Sequence, residues 1–190
     1  MQRPVPVTGE VSQMFRDALA SRGIEERSQT LVTSIDAGTA RLADGGTLPY
    51  DLFVGIPIHR APDPLAASGL AVNGWVPVDQ SNLRTEFPGV YALGDVCTGP
   101  RTVPKAGIFA EAAALVVADD IAAEVSGADP PAPYEGSGVC YAEFGDGLVS
   151  KVEVNFLRGD APDAKRNDPS LEFAAEKDEF GATRRARWFG

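Results

Sequence analysis

The stretch Thr85–Asp95 limits what this chain can fold into more than any other feature. A Pro-Gly pair within it predicts a tight turn, and the run Val90–Leu93 that follows is short and apolar enough for a buried strand. In an open parallel sheet, ligands bind beyond the carboxyl ends of the strands. Gly94 at that end would let a ligand approach the main chain, and Asp95 could accept hydrogen bonds from ligand hydroxyl groups. The same pattern also fits a buried strand followed by a turn that Asp95 caps.

A loop over residues 96–105 is predicted after this stretch, followed by a long helix over residues 106–125, with Lys105 immediately before it. The first backbone N–H groups of a helix have no partner within it and carry the positive end of its dipole, so they favour negative charge on a ligand. We therefore expect Lys105, Ala106 and Gly107 to contact an anionic part of a ligand. The alternative is a solvated lysine followed by a glycine that serves packing.

Two motifs in this region resemble those of a known family. Thr85, the Pro-Gly turn, the hydrophobic run, Gly94 and Asp95 stand in the order that marks the second flavin-binding motif of two-dinucleotide-domain flavoprotein reductases. The Pro-Lys-x-Gly pattern of Pro104–Gly107, which stands before a helix, is similar to one found in the sulfide:quinone oxidoreductase and flavocytochrome c sulfide dehydrogenase branch of that family. The resemblance implies FAD as the cofactor, with Asp95 on its ribityl chain and the helix start beside the pyrimidine side of the reduced flavin. It also implies sulfide or NAD(P)H as the electron donor, and a quinone or another small acceptor.

The residues before this region predict a helix from Val11 and an antiparallel hairpin over residues 39–50 around an Asp-Gly-Gly turn. They also predict a strand over residues 24–34 with a break near Gln29, and a mostly apolar strand over residues 50–58 that Gly55 interrupts. In the family that this chain resembles, this order is the second half of the NAD-like middle domain. No Gly-x-Gly-x-x-Gly motif follows a strand anywhere in the sequence. We therefore expect the C-terminal half of a longer protein, whether through a shortened sequence, a split gene or cleavage.

The composition changes at residues 127–133, where a Pro-, Ala- and Gly-rich segment predicts a domain boundary. Alternating apolar residues around a Gly-Asp-Gly turn then predict a hairpin, followed by a polar loop over residues 158–168 and a helix from 169 to 190. The predicted fold class is α/β with an α+β tail, a partial two-dinucleotide-binding-domain flavoprotein fold that ends in an interface domain. The expected parts are a middle-domain remainder with a connector (1–84), a flavin-domain segment (85–126) and an interface domain (127–190).

Cys140 is the candidate catalytic residue. In the sulfide-oxidising branch, a cysteine at the start of a strand in the third domain, often followed by an aromatic residue, faces the flavin and pairs with a cysteine of the N-terminal half. Cys140 and Tyr141 stand in that place. The resemblance therefore implies that a Cys140 thiolate accepts sulfur from sulfide and passes two electrons to flavin, provided that positive charge lowers its pKa. The residues alone allow a buried structural thiol equally well.

Charge and composition bear on partners and location. A formal net charge of −10 argues against nucleic-acid binding. The two cysteines lack the spacing of a metal site or a disulfide framework, so we expect no metal and a cytoplasmic protein. No apolar run approaches the ~20 residues that span a bilayer. Arginines beside Trp188 and Phe189 fit either peripheral membrane contact or a solvated helix end.

Two classes of function remain open from the sequence. The first is an FAD-dependent oxidoreductase resembling sulfide:quinone oxidoreductase, active as the intact protein but inactive and colourless as this chain alone. The second is a non-catalytic fragment or subunit that does not bind FAD alone and self-associates through the apolar faces of an incomplete sheet. Flavin absorption and sedimentation of the purified protein would distinguish the two classes.

Overall fold

The computed structural model describes residues 9–190. The chain divides into two compact units, Met1–His59 and Arg60–Gly190. Helices alternate with small sheets, which confirms the predicted α/β class with an α+β tail. Among the described residues, no helix combines the length and the apolar character needed to cross a bilayer.

The first unit contains one helix and a three-stranded antiparallel sheet. Helix α1 spans Gly9–Ser21, and the chain leaves it at Gly23, which has a left-handed φ of 67°. The sheet has the order β1-β2-β3 and consists of β1 (Val32–Asp36), β2 (Thr39–Leu42) and β3 (Thr47–Pro49). The predicted hairpin is confirmed by the β2–β3 register, and the Asp44 carboxylate closes its turn by accepting the Gly46 N–H at 2.8 Å.

One strand prediction in this unit is wrong in part and another is wrong. The break expected near Gln29 is confirmed, since the chain turns there with a φ of 55°, but the part of the strand expected before it does not form and β1 begins only at Val32. The strand expected over residues 50–58 does not form. Apolar side chains alone do not make a strand, since its backbone groups need a neighbouring strand, and none of the described strands pairs with this segment.

The second unit begins with a short helix and a two-stranded parallel pair. Helix α2 covers Asp63–Ala67. Strand β4 (Val76–Pro77) pairs in parallel with β5 (Cys97–Thr98). Parallel pairing brings the carboxyl ends of both strands to the same edge, so the loops that follow β4 and β5 lie side by side.

The prediction of a buried strand over residues 90–93 is wrong. The turn before it forms as expected, with Gly89 at a φ of 74°. The segment then folds back on residues 83–85, where Tyr91 makes an isolated bridge with Arg84. Two further backbone hydrogen bonds, of 2.9 and 3.1 Å, link the same segments. Its backbone groups are thus satisfied locally, without a sheet neighbour.

Helix α3 spans Gly107–Ser126, which confirms the long helix predicted there. It ends at Gly127 in the left-handed conformation, with a φ of 69°. Buried side chains of α3 join the core of the second unit, and this core consists of Val78, Leu83, Ala113, Val117 and Tyr134. The helix is therefore the element on which the preceding loops pack.

The tail is a three-stranded antiparallel sheet and a final helix. The sheet has the order β6-β7-β8 and consists of β6 (Ser137–Glu143), β7 (Val149–Asn155) and β8 (Asp163–Arg166). The predicted hairpin is confirmed as β6–β7. The loop expected over residues 158–168 is wrong in part, because β8 lies within it and pairs with β7. Helix α4 spans Leu171–Phe189, as predicted from the sequence, and the Ser170 side chain caps it by accepting the Phe173 N–H.

Candidate functional site at the start of α3

Gly94 brings a 3₁₀ turn, Gly94–Val96, against the first turns of α3. Its φ is 70°, and a Cβ placed there would lie 3.2 Å from the Cβ of Ala110. The Cys97 thiol donates to the Gly94 carbonyl at 3.3 Å and holds the far end of the same turn. Glycine is therefore favoured at this position both by the backbone conformation and by the contact with the helix.

Asp95 lies in this turn with an exposed side chain. Among the described residues, its carboxylate accepts no hydrogen bond and forms no ion pair. An ionised carboxylate offers about four acceptor positions. Asp95 can therefore accept hydrogen bonds from the hydroxyl groups of a ligand without breaking any contact of the described chain.

The amino end of α3 has unsatisfied backbone donors. Ala106 occupies the N-cap position and supplies no side-chain cap. Its carbonyl accepts the N–H groups of Phe109 and Ala110 at 3.0 and 3.2 Å. Within the described part of the chain, the N–H groups of Gly107 and Ile108 have no acceptor. These two donors, at the positive end of a 20-residue helix, favour a negatively charged or oxygen-rich ligand.

Lys105 is held beside the helix start by two contacts. Its ammonium group donates to the Cys97 carbonyl at 2.9 Å and lies 3.9 Å from the centre of the Trp75 ring. A cation over the face of an indole is stabilised by the negative charge density of the ring. The positive charge of Lys105 therefore has a defined position next to the turn that carries Asp95, and Trp75 has a role in the site that the sequence did not reveal.

Cys140 lies on β6 opposite Val152 of β7. It shares a strand face with Gly138, where a Cβ would come within 2.6 Å of the Phe109 ring, so this face is turned towards α3. The residue is exposed and its thiol is not in a disulfide. Partial desolvation by neighbouring atoms raises the pKa of the thiol above its ordinary value. No ion pair or hydrogen bond among the described residues joins Cys140 to Asp95 or Lys105.

A network of side chains that the sequence did not indicate attaches the turn before Gly94 to the middle of α3. Arg84 donates through Nε to the buried carboxylate of Asp120 at 2.8 Å, and its Nη2 lies 2.7 Å from Glu124. The Tyr91 hydroxyl donates to the same Asp120 oxygen at 2.9 Å. Burial and the neighbouring Asp120 carboxylate raise the pKa of Tyr91 to about 12. This network positions the segment that leads to Asp95.

Residues 1–108, more than half of the chain, match the family model described as pyridine nucleotide-disulphide oxidoreductase. The chain belongs to the pyridine nucleotide-disulphide oxidoreductase family. The match covers the turn with Asp95, Lys105 and the first residues of α3. The site described above therefore lies within the part of the chain by which the family is recognised.

A curated relative and three solved structures resemble this family member. The mitochondrial sulfide:quinone oxidoreductase of Schizosaccharomyces pombe is 36% identical over 108 residues, which cover 55% of this chain and 23% of that protein. The ferredoxin reductase for the CYP199A2 system of Rhodopseudomonas palustris is 28% identical with a TM-score of 0.54, and the match covers 80% of this chain and 38% of that one. Fdr9 is 25% identical with a TM-score of 0.56, and the match covers 84% of this chain and 44% of that one. This chain thus spans less than half the length of each of these proteins.

The third solved structure is a chain of the Tetrahymena thermophila mitochondrial ATP synthase. It has a TM-score of 0.63 at 20% identity, with 77% of this chain and 37% of that chain covered. At this identity the likeness concerns the fold alone. The ferredoxin reductase and Fdr9 confirm the expected similarity to flavoprotein reductase folds.

Proposed function

We propose that this chain is the C-terminal part of an FAD-dependent oxidoreductase that passes electrons from sulfide or a nicotinamide donor, through flavin, to a quinone-like acceptor. One observation supports this proposal most directly. The exposed carboxylate of Asp95, the two unpaired N–H groups at the start of α3 and the ammonium of Lys105 belong to adjoining parts of one short region. The family membership and the 36% identity to a sulfide:quinone oxidoreductase support the same reading.

The residues of this region fit an FAD molecule in the intact protein. Bound FAD would supply the two-electron chemistry between donor and acceptor. Asp95 would accept hydrogen bonds from the ribityl hydroxyl groups, while the N–H groups of Gly107 and Ile108 would donate to the oxygen-rich pyrimidine side of the ring. Lys105 would add a full positive charge there, which stabilises a negatively charged reduced ring.

The identity of the electron donor depends on whether Cys140 is a redox thiol. With sulfide as donor, Cys140 would act as a redox thiol together with a cysteine outside this sequence. The raised pKa of its thiol keeps it protonated near neutral pH, so this role requires additional positive charge near Cys140 in the intact protein. With a nicotinamide donor, no thiol is needed.

A chimera tests the proposed cofactor site. The segment of the Schizosaccharomyces pombe enzyme that corresponds to this chain is replaced by the sequence described above, and the purified protein is assayed for bound flavin. We expect a yellow protein whose flavin affinity falls about 10-fold or more with Asp95→Ala, because a hydrogen bond to a charged group is worth about 1.5–3 kcal/mol. The matched control is Asp129→Ala, which changes an exposed aspartate of the linker and should leave flavin content unchanged. Equal flavin affinity in Asp95→Ala and the unmodified chimera would remove Asp95 from the site.

The donor is tested in the same chimera. We expect Cys140→Ser to abolish sulfide-dependent quinone reduction and to leave NADH-dependent flavin reduction unchanged. Unchanged NADH-dependent flavin reduction in the same variant is the control for an intact flavin site. Sulfide-dependent turnover that survives in Cys140→Ser would exclude the redox role and favour a nicotinamide donor.

The alternative, a subunit that does not bind FAD by itself and self-associates, is favoured by a specific observation. Residues 52–58 carry large apolar side chains that the described chain leaves in solvent, with exposed fractions of 82% for Leu52, 87% for Val54, 89% for Ile56 and 97% for Ile58. Such a segment is a site for association with another chain. A colourless protein that stays colourless with added FAD, both alone and in the chimera, would support this alternative.

The structure gives less support to membrane contact through the C-terminus. Arg184 and Arg187 both pair with Glu111 of α3, at 2.9 and 3.0 Å. Arg184 also stacks on the Phe180 ring at 3.5 Å. Two of the arginines thus anchor α4 to α3 and are less available to a membrane surface.

A further inference from the structure

Trp75 follows a tight turn that fixes its backbone. Asn73 and Gly74 have φ values of 52° and 85°, the two left-handed conformations of a type I′ turn. The flanking Val72 and Trp75 exchange backbone hydrogen bonds of 2.7 and 3.2 Å across this turn. Strand β4 begins at the next residue and pairs in parallel with β5. The half-buried indole therefore stands on a backbone that is held on both sides.

The ammonium group of Lys105 is placed by this indole and by the first residue of β5. Its Nζ lies 3.9 Å from the centre of the Trp75 ring and donates to the Cys97 carbonyl at 2.9 Å. Because β4 and β5 are paired, the two contacts come from neighbouring segments of one small sheet. An exposed lysine side chain otherwise samples many rotamers in water. A charge that is already held in place loses less conformational entropy when a ligand binds beside it.

The positive charge of Lys105 is held without being neutralised. Within the described part of the chain, no carboxylate forms an ion pair with its ammonium group. An indole face and a carbonyl oxygen stabilise a cation but carry no negative charge of their own. The residues that follow, Ala106–Ile108, add the positive end of the α3 dipole. A full charge and a helix start of the same sign thus belong to adjoining residues.

We infer that Trp75 is a positioning residue that, through Lys105, raises the reduction potential of the flavin. This inference rests on the proposed function and names a further residue of the same site. A positive charge held at the helix start favours reduced, negatively charged flavin over oxidised, neutral flavin. Without the indole face, the Lys105 side chain spreads over positions in solvent, where water screens its charge.

The contact itself is tested in the full chain, without flavin. The ring current of an indole shifts protons above its face to higher field, so we expect the CεH₂ protons of Lys105 to resonate upfield of those of the other lysines. Trp75→Leu should return them to the ordinary position. Trp188→Leu is the matched control, because it removes the second tryptophan at a 55% exposed position of α4 and should leave the Lys105 resonance unchanged. An ordinary Lys105 resonance in the unmodified chain would overturn the inference.

The effect on the cofactor is measured as the midpoint potential of the flavin in the chimera. We expect Trp75→Leu to weaken binding of reduced relative to oxidised flavin about 3-fold, which is a fall of about 14 mV for a two-electron couple. Lys105→Met removes the charge altogether and should weaken it about 10-fold, or about 30 mV. Trp75→Phe keeps an aromatic face and should have a smaller effect than Trp75→Leu. Trp188→Leu should leave the potential unchanged.

The double variant Trp75→Leu with Lys105→Met distinguishes a positioning role from a purely structural one. If Trp75 acts through Lys105, Trp75→Leu has no further effect on the potential once the lysine is absent. An equal fall with and without the lysine, or no fall at all in a yellow chimera, would refute this inference and leave the proposed flavin site intact. A chimera that binds no flavin would refute the proposed function and this inference together.

Trp75→Phe replaces Trp75→Leu in this comparison if the leucine variant does not fold. A potential between those of the unmodified chimera and Lys105→Met then supports the inference, and any other value refutes it.

Discussion

Asp120 is the buried acidic residue through which several side chains of the second unit are joined. Its side chain is 9% exposed, and it accepts hydrogen bonds from Arg84 and Tyr91. We expect Asp120→Ala to lower the free energy of unfolding by about 1–3 kcal/mol, because Arg84 and Tyr91, which are partly buried, lose their acceptor. Asp119→Ala, at the exposed neighbouring position, is the control and should change stability by no more than about 0.5 kcal/mol. Urea denaturation of both variants measures the difference, and equal stabilities would contradict a structural role for Asp120.

The raised pKa of Tyr141 predicts how the free energy of unfolding changes at alkaline pH. Burial, together with the hydrogen bond to Glu176, raises its pKa from 10.0 to about 12. Its contribution is fully present below pH 10 and is lost as the pH rises towards 12, because the unfolded chain releases the phenolic proton first. Tyr141→Phe should therefore make the fall in unfolding free energy between pH 10 and 12 shallower. Denaturation curves measured between pH 10 and 12 test this prediction. If the dependence of the unfolding free energy on pH is the same in Tyr141→Phe, ionisation of Tyr141 is not linked to folding.

At the scale of elements, the contact between the 3₁₀ turn and α3 depends on Gly94. Gly89 offers a matched comparison, since its φ of 74° is close to the 70° of Gly94 but a Cβ there would meet no atom within 4 Å. Gly89→Ala should cost about 1–2 kcal/mol through the backbone conformation alone. Gly94→Ala has the same backbone cost and also brings its Cβ too close to the Cβ of Ala110. We therefore expect Gly94→Ala to lower the thermal midpoint of unfolding more than Gly89→Ala does. Equal midpoints would indicate that the turn and the helix do not pack as closely as described.

At the scale of the whole molecule, the apolar segment over residues 52–58 predicts self-association. We expect the sedimentation mass of the chain to rise with concentration, since exposed apolar residues gain by leaving water. The double substitution Ile56→Lys and Ile58→Lys should reduce this association with little effect on folding, because both side chains are about 90% exposed or more. Leu171→Lys, at a 67% exposed position of the second unit, is the control. A monomer at every concentration would contradict both the prediction and the alternative function.

The elements with strong local signals could be predicted from the sequence. Helices α3 and α4 and the hairpins β2–β3 and β6–β7 appear where periodicity, capping and turn residues place them. These signals act over a few neighbouring residues, so they are readable along the chain. The motif with Gly94 and Asp95 was recognised for the same reason, although the strand expected before it does not form.

Strand pairing and charge pairing were decided by the tertiary structure. Residues 50–58 are apolar enough for a strand, yet no described strand pairs with them, while the polar residues 163–166 form β8 because β7 lies beside them. The contacts of Lys105 with Trp75 and of Asp120 with Arg84 join positions about 30 or more residues apart. Local residue preferences determined the helices, turns and hairpins of this protein. Long-range contacts determined its other strand pairings and its charged networks, because those interactions depend on which distant backbone or side chain comes within hydrogen-bond reach.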